Sequence, residues 1–78
     1  MTYLQKLRKN AGLTQAELAA GLGYTSPQFI SNIERGLAAL PSFKFKKAAK
    51  LLGVGVNLLI DQEVKNYRES LIKSYGVI

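Results

Sequence analysis

At 78 residues the chain has room for one domain, and a core of that size must draw on most of its apolar side chains or on a partner subunit. Neither cysteine nor histidine occurs, which excludes disulfides, thiol nucleophiles, imidazole bases and the usual zinc ligands. With only five carboxylates left, no metal, no cofactor and no catalytic activity are expected. The net charge of +6 sits wholly in residues 1–50, where eight basic residues meet two acidic ones, while residues 51–78 balance; the first part is expected to meet a polyanion and the second to do something else.

Apolar positions recur at helical spacing throughout and no stretch alternates long enough for a strand, so an all-α fold of five helices is expected. The first helix covers about Tyr3 to Asn10, with Leu4 and Leu7 inside and Lys6 and Lys9 outside; Gly12 permits the turn that follows. The second starts at Thr14 with the signature of a capping box, in which the hydroxyl bonds the amide of Glu17 and the Glu17 carboxylate returns to the amide of Thr14. Leu18, Ala19 and Leu22 form its inner face, and Gly23 supplies the positive φ that stops it. Ser26 and Pro27 open the third helix as cap and first helical residue; Ile30 and Ile33 face inward and Gly36 ends it.

Pro41 and Ser42 open a fourth helix by similar logic. Either Phe43 or Phe45 joins Ala48, Ala49, Leu51 and Leu52 inside, Lys44, Lys46, Lys47 and Lys50 form the outer face, and Gly53 stops the helix. A fifth helix starts at Val56 or Asn57 and extends to about Ser74; whether it breaks at Asp61, itself a good cap, the pattern leaves open. No apolar run reaches the roughly 18 to 20 residues of a membrane span, and the N-terminus lacks the pattern of a signal peptide. The expected compartment is the cytoplasm, with no membrane partner.

Two short helices joined through Gly23, the second opening on a polar residue, form a helix-turn-helix arrangement over residues 14–35. Ala19 is small where the third helix crosses it, Gly23 turns where a side chain would clash, and Ile30 and Ile33 pin the third helix to the second. Gln28, Ser31, Asn32 and Arg35 are left pointing outward.

The stretch LRKNAGLTQAELAAGLGYTSPQFISNIERG, above all its segments LTQAELA and ISNIERG, resembles the Cro and phage-repressor (XRE-type) family of helix-turn-helix regulators over roughly residues 4 to 60. The resemblance implies a compact five-helix bundle of the lambda-repressor-like kind that binds double-stranded DNA as a symmetric homodimer on a palindromic operator. By the same match the third helix enters the major groove with Gln28 and Asn32 on base edges, since an amide offers a donor beside an acceptor, as adenine does. Gln15 matches a residue that holds a backbone phosphate. Thr14, Ser26, Arg35 and Lys44 complete the expected phosphate contacts, and Ser31 is expected nearer the backbone than the bases. Arg8 and Glu34 match a structural ion pair that ties the first helix to the third.

The chain departs from the family's pattern in three places. Its turn from Gly23 to Ser26 is one residue longer, and Pro27 stands where many relatives present a polar reader, so it offers only apolar contact to a thymine methyl. The loop from Gly36 to Leu40 is apolar where relatives carry polar or basic residues. Phe29 either packs with Tyr24 along the longer turn or reaches a thymine methyl itself.

Ile60, Val64, Tyr67, Leu71 and Ser74 follow one another at alternating four- and three-residue spacing, a heptad seam. It either covers the domain's own core or pairs two subunits, and a duplex site read symmetrically needs such a contact, with recognition helices about 34 Å apart. Residues 1–60 are accordingly expected to form the DNA-binding bundle, and residues 61–78 a helical extension of the same compact domain that joins subunits. Tyr75, Val77 and Ile78 are either a frayed tail or a further strip of that interface. The rival expectation is an antitoxin, or another protein-interaction module, that neutralises a toxin through an apolar surface, the Leu37 to Leu40 loop or the C-terminal tail, and regulates its own operon. RNA polymerase is the other protein partner that a transcriptional regulator implies.

Overall fold

A computed structural model describes residues 3–76; Val77 and Ile78, whose role the sequence leaves open, lie outside the described residues. The elements are α1 (Tyr3–Asn10), α2 (Gln15–Gly21), α3 (Gln28–Glu34), a 3-10 turn (Ser42–Lys44), α4 (Phe45–Leu52) and α5 (Val56–Tyr75). Among the described residues there is no strand, and the all-α, five-helix expectation holds.

The start of α2 follows from its sequence. Thr14 Oγ1 accepts from the Glu17 amide at 3.0 Å, and Glu17 Oε1 accepts from the Thr14 amide at 2.9 Å, so two amides that the helix cannot satisfy internally are both bonded. The Thr14 amide holds the Glu17 carboxyl below the ordinary carboxylate range. At the other end the Gly23 amide donates to the Ala20 carbonyl at 3.0 Å, and the Gly23 φ of +88° turns the chain so that the Tyr24 amide reaches the Ala19 carbonyl at 2.9 Å. A Cβ on Gly23 would meet nothing nearer than Lys44 Nζ at 3.6 Å. The expected clash is therefore corrected: the backbone angle, and not crowding, requires glycine there. The tighter place is Gly21, where a Cβ would stand 2.7 Å from Leu51 Cδ1 and the end of that leucine side chain would have to shift.

Two helix starts differ from expectation. Pro27, at φ −75° and ψ −2°, precedes the first residue of α3, and its carbonyl accepts the first helical amide, that of Ser31, at 3.0 Å. Ser26 is not the cap residue; its hydroxyl accepts only a long 3.4 Å bond from the Gln28 amide. Pro41 and Ser42 likewise lead into the 3-10 turn, and α4 begins at Phe45. Of the two phenylalanines, Phe45 packs against the core while Phe43 is 80% exposed.

The core joins Leu4, Leu18, Ala19, Leu22, Ile30 and Ile33 of the first three helices to Ala48, Ala49 and Leu52 of α4 and Leu59 of α5. Of the Leu37 to Leu40 loop, a candidate protein contact, Leu40 is buried in this cluster and Leu37 is 70% exposed. α5 runs unbroken through Asp61. A helix of 20 residues spans about 30 Å, against about 12 Å for the eight residues of α1 or α4, so it runs on past them. It is anchored by Leu59 and by the Tyr3 hydroxyl, which donates to Glu63 Oε1. Burial and that carboxylate together push the Tyr3 hydroxyl pKa far above its ordinary value. From Val64 to Tyr75 every residue is exposed. Ile60, Val64, Tyr67 and Leu71 thus do not cover the domain's own core, and that alternative is corrected.

Candidate nucleic-acid interface

One carboxylate organises the helices that would carry the interface. Arg8 Nε and Nη2 donate to the two oxygens of Glu34 at 2.6 and 3.1 Å, and Arg8 Nη1 donates to the Leu13 carbonyl at 2.8 Å. Gln15 Nε2 adds a fourth bond, to Glu34 Oε1 at 3.0 Å. The charged side chains are 9% and 3% exposed. Burial pushes the Glu34 carboxyl up, but the bonds from Arg8 and Gln15 outweigh it and hold the group below its usual range. The same pairing raises Arg8. A bidentate fork of this kind fixes direction as well as distance, so α1, α2 and α3 are locked at one junction and the angle of α3 is set. One N–H of the Gln15 side chain, expected on a phosphate, goes here to the protein's own carboxylate, and the amide nitrogen has a second to give.

The turn between α2 and α3 is filled by a column of side chains. Lys44 Nζ donates to the Leu22 carbonyl, at the negative end of α2, and lies 4.9 Å from the Tyr24 ring centroid and 5.7 Å from that of Phe43. Tyr24 in turn stacks on Phe29, with centroids 4.9 Å apart and planes within 6°. Lys44, expected as a phosphate contact, thus braces the turn, and Phe29 packs within it. Lys46, Lys47 and Lys50 remain exposed on α4.

Along α3 the bundle leaves one polar face uncovered. Gln28 and Arg35 are exposed, Ser31 and Asn32 half-buried, and Thr14, Ser26 and Pro27 exposed at the nearby helix starts. These residues are not independent. Gln28 Nε2 donates to Asn32 Oδ1 at 3.0 Å, and Arg35 Nη2 donates to the same oxygen at 2.8 Å. Reasoning from outward positions alone missed this network, although the four- and three-residue spacings of Gln28, Asn32 and Arg35 were its signal. The Tyr3–Glu63 and Lys44–Leu22 bonds were missed too, and no local pattern announces contacts so far apart in sequence.

Beyond α3, an open cleft of about 740 Å³ separates α5 from the loop that carries Leu37. Among the described residues no acidic cluster could hold a metal ion, and no helix is long and apolar enough to cross a membrane.

A protein-family model described as helix-turn-helix matches residues 4–59, the stretch from α1 to the buried turn of α5. No curated protein and no solved structure matches the chain. Geometry and family agree over the same residues, and the chain belongs to the helix-turn-helix family of the Cro and phage-repressor type, whose members are DNA-binding regulators and as a rule not enzymes.

Proposed function

We propose that the chain is a transcriptional regulator, in its simplest form a repressor by occupancy, that binds a palindromic duplex site as a homodimer with α3 in the major groove. The observation that carries this reading is the polar face of α3, left uncovered on a helix whose angle the Glu34 junction sets. In it Gln28 and Asn32 stand toward base edges, flanked by Pro27, Phe29 and Ser31, while Thr14, Gln15, Ser26 and Arg35 lie where phosphates would pass. Lys44 spends one of its three donors on the Leu22 carbonyl and keeps two for a phosphate. Residues 1–60 bind DNA and residues 61–78 join subunits, the exposed stripe of Ile60, Val64, Tyr67 and Leu71 meeting its copy. The regulator acts in the cytoplasm without a cofactor, and bound protein blocks or recruits RNA polymerase.

Selection from random duplexes with the purified chain tests this directly. A palindromic consensus with half-sites about 34 Å apart is expected; no enrichment at moderate salt would overturn the reading. Gln28→Ala should weaken cognate binding by about 1–3 kcal/mol while sparing scrambled duplex. Exposed Leu37 beside the open cleft favours a second reading, an antitoxin. Suppression of a purified toxin, lost in Leu37→Asp, would support it.

A further inference from the structure

The readers on α3 are bonded to one another before any ligand arrives, and the chemistry of the bonds fixes their direction. Arginine is a donor only, so the Asn32 atom that faces Arg35 at 2.8 Å must be the amide oxygen. The Gln28 atom that meets this oxygen at 3.0 Å must then be the amide nitrogen. An amide oxygen has two lone pairs, and both are taken. Bidentate reading of adenine requires an amide to accept from N6 and donate to N7; Asn32 keeps only the donor half. Arg35, in contrast, uses one donor of its five on Asn32 and forms no ion pair among the described residues. The planar fork that remains matches the two adjacent acceptors of guanine, O6 and N7.

We infer that Arg35 is a specificity-determining residue directed to a guanine, and that Asn32 is a positioning residue that holds the guanidinium through Oδ1 while Gln28 occupies the other lone pair. The inference rests on α3 lying in the major groove; it moves Arg35 from phosphate to base and withdraws adenine reading from Asn32. Gln28 keeps a free amide oxygen, the acceptor of an otherwise donor-rich face.

The test is duplex selection with the full-length chain and its Arg35→Ala, Asn32→Ala and Asn32→Asp variants, read as base preference at each position, with helicity checked by circular dichroism. The wild type should require one guanine per half-site. Arg35→Ala and Asn32→Ala should both reduce that preference, at that same position, by about tenfold or more. Asn32→Asp keeps an acceptor for Arg35 and should retain it. Relaxation of an adenine position in Asn32→Ala, with guanine preference intact, would overturn the proposal. So would an Arg35→Ala variant that weakens all duplexes equally with a shallower salt dependence, the behaviour of a phosphate contact. A wild-type chain that enriches no sequence would overturn base reading altogether, an outcome distinct from either.

Discussion

The bundle up to Leu59 and the part of α5 beyond it carry the same apolar periodicity with opposite results. In the bundle, Leu4, Leu18, Ile30 and Ile33 close on one another and are at most 3% exposed. Beyond Leu59 the same residue types at the same spacing stand in water, Val64 at 63% and Tyr67 at 68%. Periodicity decides which side chains share a face. Whether the face is covered depends on how far the neighbouring elements reach. The first four helices are seven or eight residues long, about 10–12 Å, and α5 at 20 residues outruns them all.

The largest effects should come from breaking the covered side of this contrast. Arg8→Ala leaves the Glu34 carboxylate buried without its counter-charge, a loss of about 3–5 kcal/mol, comparable to the whole stability of a small domain. Leu59→Ala should cost about 2–5 kcal/mol. Both are read as a lower urea midpoint at unchanged slope. The junction also sets an acid limit. The folded Glu34 carboxyl titrates below its unfolded value of about 4.3, so its stabilisation is complete above that pH and is lost as pH falls through the folded value. The wild-type midpoint should therefore drop on acidification below about pH 4, and Glu34→Gln should flatten that drop. An Arg8→Ala chain as stable as the wild type would show that the junction does not hold the bundle.

Gly23 shows what was legible in the chain and what was not. Its place at the end of α2 and its positive φ could both be read from the pattern, and the angle is +88°; the clash also expected there is absent, because crowding depends on what packs against the turn. Local signals of this kind located the Thr14 capping box, the inward Ile30 and Ile33, and the outward face of α3, since each depends on residues within a turn of one another. The brace from Lys44 to the Leu22 carbonyl was not legible, because the two lie 22 residues apart and a backbone carbonyl leaves no mark in sequence. Which of Leu37 and Leu40 stays at the surface was not legible, because an apolar loop residue reads alike whether it folds inward or not. Gly23→Ala separates backbone from crowding: the left-handed angle should cost about 1–2 kcal/mol with no local repacking. An unchanged midpoint would mean that the turn finds another conformation and that α3 is less firmly placed than the junction suggests.

The smallest effect on folding is expected on the uncovered side. Val64→Asp places a charge where the side chain already meets water, so in dilute protein the midpoint should stay within about 0.5 kcal/mol of wild type. If α5 pairs with its copy, the wild-type melting temperature rises with protein concentration, because association stabilises only the folded form. Val64→Asp should abolish that rise, and with it the tight binding of a palindromic duplex, while a single half-site binds as before. Should Val64→Asp instead cost as much as Leu59→Ala in a wild-type background whose melting does not depend on concentration, the stripe would belong to the fold and not to an interface. Position on one helix, five residues apart, is then the whole difference between the two variants, and the comparison isolates what coverage alone contributes.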